Sequence, residues 1–374
     1  MPRYDVVIIG AGPAGATAAR LLAKAGASVA LVDREKFPRE KCCAGWLSAL
    51  AFKEFPELAA RQGAFVECAF SGLVFHSPDL EATAEWSDSA PVGYQVSRAK
   101  LDAALVDMAR EAGAEVILGE AASEITESGA GVSVKLASGR ALEAKILIGA
   151  DGANSLVARS VGLMAEIAPA DMIGSINECF EIGEAAVEKL YGPARPIHVA
   201  IAYNFLAGYA WAFPKRSSVA LGLGGKGLSA EKTRPRFKEF ISDAQRIGLI
   251  PPGSASKACG GGIIPAGVAL KAKSHVSRRT MLVGDAGGFV ASASGEGIYP
   301  GMLSARIAAE VALKALAASD VSSALSEFNA AWRARMEKFL AMPNVNLQMM
   351  LPMIFSDKRV AAKFARAFLF GEKF

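Results

Sequence analysis

A glycine-rich turn near the start of the chain constrains the fold more than any other feature of the sequence. The β-branched run Tyr4–Ile9 is typical of a strand, Ala14–Ala25 is typical of a helix, and Ser28–Val32 again indicates a strand. The turn Gly10-Ala11-Gly12-Pro13-Ala14-Gly15 joins the first strand to the helix. A G-x-G-x-x-G motif in this setting predicts a Rossmann-type dinucleotide-binding unit.

Each glycine of this turn has a physical role in nucleotide binding. Gly10 permits the tight turn, Gly12 lets the backbone approach a pyrophosphate, and Gly15 allows the helix to pack closely on the strand. The helix N-terminus adds free amides and a favourable dipole for the phosphates. Asp33 ends the second strand 23 residues after Gly10, where its carboxylate can accept both ribose hydroxyls. An acid at this position repels a 2′-phosphate, so NADPH is excluded from this site.

Two later segments indicate which dinucleotide is bound. Ala150–Ser155 closes the strand Ile146–Ile148, and the strand Met281–Val283 runs into a second glycine-rich turn that carries Asp285. This turn can bring an acid and helix-start amides to a polyol chain. FAD has a ribityl chain and NAD does not, so the three motifs in this order predict FAD.

Composition and charge exclude several other classes of protein. Hydrophobic residues make up 52% of the chain, which argues against disorder. The net charge of +4 is spread along the chain without a Lys/Arg tract, so we predict no nucleic-acid partner. The five cysteines are an odd number without zinc-ligand spacing, which fits a reducing cytoplasm. His76, His198 and His275 show no pairing in the sequence, and no metal site or histidine-based chemistry is predicted.

Two apolar stretches resemble targeting or membrane segments at first sight. Val6–Ala19 is interrupted by glycines, and Pro196–Pro214 ends in an alternation of large and small residues. Tyr209, Trp211 and Phe213 lie on one face if that end is a strand. We therefore predict no transmembrane helix.

The sequence resembles the FAD-dependent aromatic hydroxylases and, within them, the geranylgeranyl reductases, over about Tyr4 to Arg306. The part shared with flavoproteins in general consists of the first glycine-rich turn, Asp33, Arg98 in VSRAKLDAAL, Asp151-Gly152 and Gly284-Asp285. Three segments are similar to motifs of the reductases. They are Phe37–Gly45 (FPREKCCAG, against FPRxKxCGG), Tyr209–Pro214 (YAWAFP, against YxWxFP) and Gly295–Tyr299 (GEGIY, against GEGI).

Two residues depart from the family pattern. Ala44 replaces the first glycine of the usual pair, and Cys42 occupies a position that is often proline. Both changes affect the loop that the resemblance places over the flavin, and they put the substrate in question.

The resemblance implies a set of site residues. Arg98 is expected near the FAD phosphates or ribityl chain, Asp285 on the ribityl hydroxyls and the GEGI segment beside the isoalloxazine. Tyr209, Trp211 and Phe213 are expected to bind substrate, although such a stripe can equally be plain core. The full set of cofactor-binding residues is Gly10, Gly12, Pro13, Ala14, Gly15, Asp33, Arg34, Cys43, Ala44, Gly45, Arg98, Asp151, Gly284, Asp285, Gly295, Gly297 and Ile298.

The fold class follows from the changes of pattern along the chain together with the resemblance. We predict an α/β protein whose Rossmann-like FAD-binding domain, of the aromatic-hydroxylase type, is interrupted by a mostly antiparallel β-sheet substrate domain and followed by a C-terminal helical segment. The FAD-binding domain is assigned to residues 1–64, 95–165 and 271–330. The substrate domain is assigned to 65–94 and 166–270, and the helical region to 331–374.

The predicted function is FAD-dependent hydrogenation of C=C bonds in a geranylgeranyl-type isoprenoid lipid or a related apolar substrate. Reduced flavin delivers hydride to one carbon of the double bond, and a proton must reach the other. Cys43, Tyr299 and a water held by the Gly295–Gly297 backbone are the candidate donors. Cys43 can also be an inert thiol. By resemblance, the electron donor is NADPH or a ferredoxin-like protein. The sequence contains no second nucleotide-binding motif that would identify the donor.

Three alternatives remain open at this stage. A flavin monooxygenase or halogenase shares the general motifs and acts on an aromatic substrate with oxygen. A quinone-linked electron-transfer flavoprotein dehydrogenase often has an iron–sulfur partner, and this chain has no cysteine cluster for a centre of its own. A flavin-binding protein without enzymatic activity is a more distant alternative.

The segment Phe339–Phe355 is rich in methionine and is broken by Pro343 and Pro352. It is either a helical cap on the core or a flexible gate for lipid, because unbranched thioethers adapt to irregular chains. The basic residues that follow can meet anionic headgroups. We therefore expect a cytoplasmic protein with peripheral contact at the inner face of the cell membrane.

Overall fold

The computed structural model of the protein describes residues 3–342 and 346–374. The predicted break at Pro343 lies outside the described residues. The strands, in chain order, are β1 (Arg3–Ile9), β2 (Val29–Asp33), β3 (Trp46–Ser48), β4 (Val66–Phe70), β5 (Gly72–His76), β6 (Thr83–Ser87), β7 (Gly93–Val96), β8 (Glu115–Leu118), β9 (Ala122–Glu127), β10 (Val132–Leu136), β11 (Ala141–Gly149), β12 (Ile173–Glu181), β13 (Ile197–Ile201), β14 (Gly208–Pro214), β15 (Ser218–Lys226), β16 (Ser256–Ile264) and β17 (Thr280–Leu282).

The helices lie between these strands and at the C-terminal end of the chain. They are α1 (Pro13–Lys24), α2 (Ala49–Glu54), α3 (Gln62–Phe65), α4 (Arg98–Glu111), α5 (Leu156–Ser160), α6 (Glu184–Tyr191), α7 (Ala230–Arg246), α8 (Ile298–Ala317), α9 (Val321–Leu340), α10 (Leu347–Ser356) and α11 (Lys358–Phe370). Short 3-10 helices occupy Pro56–Arg61, Pro169–Asp171, Tyr203–Phe205, Val268–Leu270 and Gly284–Gly287.

The chain folds into two compact units, each assembled from three separate segments. Unit 1 comprises Met1–Glu40, Ala99–Pro169 and Pro265–Ala341, and unit 2 comprises Lys41–Arg98, Ala170–Ile264 and Met342–Phe374. The predicted bounds of the FAD-binding, substrate and helical regions stay predictions, because compactness does not identify what a segment binds.

Unit 1 is built on a mixed sheet in the order β8-β2-β1-β11-β10-β9. The first four of these strands are parallel, and β9 and β10 complete the sheet in antiparallel pairs. The long strand β11 changes partner along its length, because Ala141–Ala144 pairs with β10 and Leu147–Gly149 pairs with β17. The predicted hairpin between β10 and β11 is confirmed.

Helix α1 packs against the parallel strands through an almost continuous run of small residues. Ala14, Gly15, Ala16, Ala18 and Ala19 are all buried, and the helix lies against both β2 and α8. Small side chains let the backbones approach closely, which holds the N-terminus of α1 at the carboxyl end of β1. Ligands bind at this end of the strands in open α/β sheets.

Unit 2 is built on a second sheet in the order β16-β12-β15-β14-β13-β5-β6, together with the small sheet β3-β7-β4. Its pairs are antiparallel except for β13 with β5. Helix α7 packs on β12 and β15, and α10 and α11 pack against β6. The predicted α/β class, the mostly antiparallel second sheet and the C-terminal helices are confirmed.

Pro196–Pro214 forms β13, a 3-10 turn and β14, and β14 is the strand that the alternation of residue size near its end predicts. Within 3–342 and 346–374, no helix has both the length and the apolar character required to cross a bilayer.

Candidate functional site

Two of the three glycines in the first turn of unit 1 are required by the packing of the chain itself. Gly10 has a φ of +100°, and a Cβ on it would collide with the carbonyl of Ala150. A Cβ on Gly15 would collide with the carbonyl of Gly10. The amide of Gly10 donates to the carbonyl of Val32 at 2.7 Å, which ties the turn to the second strand. These two residues therefore fix the shape of the turn.

Gly12 is different, because none of the described residues requires it to be glycine. Its backbone, at φ −66° and ψ −177°, is extended and open to any residue. A Cβ on Gly12 would meet no described atom closer than Nη2 of Arg39, at 4.0 Å. Among the described residues, no side chain caps the N-terminus of α1 that follows. The turn thus offers free amides and open space, which fits a pyrophosphate.

The carboxylate of Asp33 is anchored at the same turn. Its Oδ2 accepts a hydrogen bond from the amide of Ala11 at 2.6 Å, and its Oδ1 accepts one from the amide of Glu35 at 2.9 Å. Each carboxylate oxygen has a second lone pair, so both can still accept from ribose hydroxyls. The neighbouring Arg34 is exposed and lies 3.5 Å from the carboxylate of Glu35.

Asp151 binds the N-terminal end of α5, whose N-cap residue is Ser155. It accepts hydrogen bonds from the hydroxyl of Ser155 at 2.5 Å and from the amides of Leu156 and Val157 at 2.6 and 3.1 Å. Burial raises the pKa of this carboxyl above its ordinary value, and the hydrogen bonds oppose that shift. Asp151 therefore fixes the segment that contains Ala150, whose carbonyl packs against the turn at Gly10.

The second glycine-rich turn lies beside the first. Gly284 has a φ of +58°, and a Cβ on it would lie 2.9 Å from the Cβ of Ala14. A Cβ on Gly297 would lie 3.3 Å from Oδ1 of Asp285. The structure thus brings Ala14, Gly284, Asp285 and Gly297 together at the N-termini of α1 and α8.

The remaining residues predicted in this part of unit 1 belong to the start of α8. Ile298 and Tyr299 begin that helix and are buried. The Tyr299 ring packs edge-on against Phe339, with centroids 5.3 Å apart. Gly295 has a φ of +67°, which suits the turn that leads into the helix.

Unit 2 contains the predicted loop of Cys43, Ala44 and Gly45, and Arg98, which is the first residue of α4. The amide of Gly45 donates to Sγ of Cys43 at 3.4 Å, and a Cβ on Gly45 would lie 2.5 Å from the carbonyl of Val96. Gly45 is therefore required by the loop. The Cys42 thiol donates instead to the carbonyl of Gly260, at 3.1 Å.

The aromatic stripe of unit 2 forms on β14 as predicted. Tyr209 and Trp211 have ring centroids 5.6 Å apart, and Trp211 and Phe213 have centroids 6.2 Å apart. Helix α11 contributes Phe368, whose ring lies 5.7 Å from that of Tyr209. Trp46 stacks on Phe368 at 5.9 Å. Sequence reasoning missed these last two, because their contacts span more than 150 positions of the chain.

Cys43 is near enough to Tyr209 for its charge to act on the phenol. Burial is the main cause that raises the pKa of Tyr209 above its ordinary value, and the thiolate charge of Cys43 raises it further. The tyrosine therefore keeps its proton over the whole physiological range. The loop and the aromatic strand thus bring Cys43 and Tyr209 within electrostatic range of each other inside unit 2.

The expectation that the histidines are unpaired is wrong for two of them. His76 Nε2 and His198 Nδ1 lie 2.9 Å apart, because β5 and β13 pair in parallel and bring residues 122 positions apart side by side. Burial lowers the pKa of His76 to about 4 and that of His198 to about 3, so both are neutral at pH 7. No cluster of three or more His, Cys, Asp or Glu residues suited to a metal occurs in the part of the chain that the structure describes.

Comparison with known proteins gives a consistent result. A family model described as an FAD binding domain matches residues 3–189. Digeranylgeranylglycerophospholipid reductase of Methanoculleus marisnigri is 32% identical over 342 residues, which cover 88% of this chain and 82% of that protein. Menaquinone reductase of Mycobacterium tuberculosis is 29% identical over 332 residues, with 82% and 76% covered.

A solved structure has the same fold along the whole chain. It is a geranylgeranyl bacteriochlorophyll reductase-like protein from Thermoplasma acidophilum, with a TM-score of 0.81 at 22% identity, and the match covers 100% of this chain and 98% of that one. The matched domain, the fold and the glycine turns define an FAD-dependent oxidoreductase, and the cofactor is FAD. Within that class, the chain belongs to the geranylgeranyl reductase family.

Proposed function

We propose that the protein adds hydrogen across C=C bonds of a geranylgeranyl-type isoprenoid lipid. The observation that carries this proposal is the uncharged aromatic face of β14, where Tyr209, Trp211 and Phe213 lie in a row. An isoprenoid offers only apolar surface, and burying it contributes about 0.8 kcal/mol per methylene without any charged contact. The reductase names of the relatives support the same substrate class.

We propose the cofactor-binding roles that the motifs and the family resemblance imply, and the geometry of the glycine turns in unit 1 supports them. In unit 1, the amides around Gly12 take the pyrophosphate, Asp33 takes the ribose and Asp285 takes the ribityl hydroxyls. We assign the flavin ring to the backbone between Gly295 and Ile298. The supporting residues are Gly10, Pro13, Ala14, Gly15, Arg34, Asp151, Gly284 and Gly297 in unit 1, and Cys43, Ala44, Gly45 and Arg98 in unit 2.

Bound FAD supplies hydride to one carbon of the alkene, and the protein must supply a proton to the other. We propose that the thiol of Cys43 donates this proton and that a proton from solvent then converts the thiolate back to the thiol. Tyr299 is the second candidate, although its ring is buried against Phe339. The two candidates lie in different units, and single substitutions distinguish them.

The electron donor and the surroundings of the protein complete the proposal. NADPH or a ferredoxin-like protein reduces the flavin, as the family resemblance implies. The side chains of Met342, Met349 and Met353 are exposed, and the basic residues of α11 follow them in the chain. We propose that this segment contacts anionic lipid at the cytoplasmic face of a membrane.

An anaerobic single-turnover experiment tests the function. Enzyme reduced with dithionite is mixed with a geranylgeranyl lipid, and the proposal requires that the flavin reoxidises and that the product gains two hydrogens per double bond. Reoxidation that requires oxygen and a phenol would favour a monooxygenase. Menaquinone is a second test substrate, because a relative is named menaquinone reductase. Reduction of its ring alone would give a quinol, which air oxidises back to the starting mass. Reduction of a C=C bond in its side chain would give a mass increase that persists in air.

A further inference from the structure

We propose that Arg39, held in place by Asp102, binds the pyrophosphate of FAD. The two residues lie in unit 1, where Nη2 of Arg39 is 3.2 Å from Oδ2 of Asp102. The Asp102 side chain is completely buried, and the Arg39 side chain is 16% exposed. A buried carboxylate on α4 thus fixes one edge of a guanidinium that follows β2.

The other edge of this guanidinium is left without a protein ligand. Nη1 of Arg39 is buried and has no hydrogen-bond partner among the described residues. An unsatisfied buried donor costs about 1–3 kcal/mol, and more when the group is charged. Buried polar groups without a partner are rare in native proteins, so Nη1 indicates that the described residues do not complete the hydrogen bonding of Arg39.

The position of Arg39 indicates which ligand that is. Its Nη2 is the nearest atom to the open space over Gly12, at 4.0 Å from the place where a Cβ would stand. The Phe37 ring lies 4.7 Å from the guanidinium carbon and restricts its orientation. The guanidinium therefore borders the same space as the amides at the start of α1.

The chemistry of the two groups is complementary. A guanidinium presents paired N–H donors in a plane, which match two oxygens of a phosphate better than a lysine can. The amides of the turn carry only partial charges, whereas the Arg39 guanidinium brings a full positive charge. Asp102 is a positioning residue, because it contacts Arg39 and not the phosphate.

Binding of nucleotide fragments to flavin-free protein tests this inference without any turnover. FAD, ADP and adenosine are titrated into wild type, Arg39→Met and Asp102→Asn. Arg110→Met is the matched control, since Arg110 is an exposed arginine on the same helix as Asp102. We expect Arg39→Met to weaken FAD and ADP at least tenfold and adenosine less than twofold, and Asp102→Asn to have a smaller effect in the same direction.

Equal affinity of wild type and Arg39→Met for ADP would overturn the inference and leave the pair as an internal ion pair. Loss of adenosine binding as well would also count against it, because the damage would then be to the fold. If Arg39→Met does not fold, Arg39→Lys takes its place and must show the same selective loss of affinity for ADP. An unchanged ratio of ADP affinity to adenosine affinity in Arg39→Lys would refute the role of Arg39. The inference rests on FAD as cofactor, and a wrong lipid substrate would leave this titration unaffected.

Discussion

The indole Nε1 of Trp211 donates a hydrogen bond to Oδ1 of Asn177 across an intervening strand, at 3.0 Å. Trp211 on β14 pairs with Gly222 on β15, and Gly222 pairs with Asn177 on β12. The indole can reach Asn177 because Gly222 has no side chain, and a Cβ there would collide with the ring. The orientation of the central aromatic residue is thus fixed by two residues that no sequence motif indicates.

Replacement of Trp211 by alanine is expected to reduce lipid reduction strongly and to leave FAD bound. The truncation removes the middle of the aromatic face and leaves Asn177 without its donor. A buried tryptophan truncated to alanine typically costs about 3–5 kcal/mol of stability. The measurement is the reoxidation rate of the dithionite-reduced enzyme by a geranylgeranyl lipid. Phe240→Ala, at a buried position of α7, controls for stability loss alone, and an equal loss of rate in both variants would contradict a substrate role.

Gly222→Ala is expected to destabilise the protein by about 1–3 kcal/mol, because the new methyl group displaces the indole from a packed position. Gly224→Ala is the matched control two residues further along the same strand. Its Cβ would meet Ile173 and Ser175 at 3.3 Å, which small shifts can relieve. Urea unfolding at neutral pH compares the two variants. Equal midpoints would show that the indole has freedom to move.

Gly12→Val is expected to yield a folded, colourless protein. The valine has space in the absence of ligand, and it occupies the position assigned to the pyrophosphate. Gly10→Ala is expected to lose stability itself, since its φ of +100° and the carbonyl of Ala150 both oppose a side chain. Flavin absorbance per protein and the melting temperature distinguish the two, and the flavin that wild type releases should be FAD and not FMN. A Gly12→Val variant that retains flavin would contradict the pyrophosphate assignment.

Cys43→Ser is expected to slow alkene reduction at least tenfold, about 1.4 kcal/mol in the barrier, with flavin content unchanged. A serine hydroxyl is a much weaker acid than a thiol and donates a proton less readily. Cys42→Ser is the control, because that thiol donates to a backbone carbonyl that a hydroxyl can also reach. Full activity in Cys43→Ser would show that Cys43 is not the proton donor. Tyr299 would then be the candidate donor, and Tyr299→Phe would be the variant to measure.

The buried histidines predict a loss of stability in mild acid. Burial lowers the pKa of His76 and His275 to about 4 and that of His198 to about 3, against 6.5 when exposed. The unfolded chain binds more protons below pH 6.5, so the stabilising effect is complete above that pH and is lost as pH falls toward 4. Each histidine contributes about 1.4 kcal/mol per pH unit in that range. Urea midpoints at pH 7.5 and 5.5 measure the effect, and His76→Gln should reduce the difference, whereas equal midpoints would contradict it.

The parts of the fold that depend on neighbouring residues were predictable from the sequence. The strand, turn and helix around Gly10 follow from local periodicity and from the conformations that glycine allows. The hairpin of β10 and β11 and the aromatic alternation of β14 are equally local. The paired histidines, the Arg39–Asp102 ion pair and the contact of Phe368 with Tyr209 depend on the register of distant strands and on helix docking, which periodicity does not encode.

The same limit applies to the glycines. In the sequence motif, Gly10, Gly12 and Gly15 are equivalent. In the structure, Gly10 and Gly15 are required by close backbone contacts, whereas Gly12 faces open space. Gly222 lies in a glycine-rich strand that matches no motif. The requirement for glycine there is explained by Trp211, its partner on β14. What a side chain would collide with cannot be derived from spacing along the chain.

The interleaving of segments has a consequence for synthesis of the protein. Unit 1 requires residues as late as Ala341, and unit 2 requires α11, which ends at Phe370. Neither sheet can therefore complete its packing while the ribosome is still making the middle of the chain, unlike proteins whose domains fold one after another. Until these late segments have been made, the parallel strands of unit 1 and the aromatic strand of unit 2 each lack part of their packing. Expression at lower temperature or with more chaperone should raise the soluble yield for this reason.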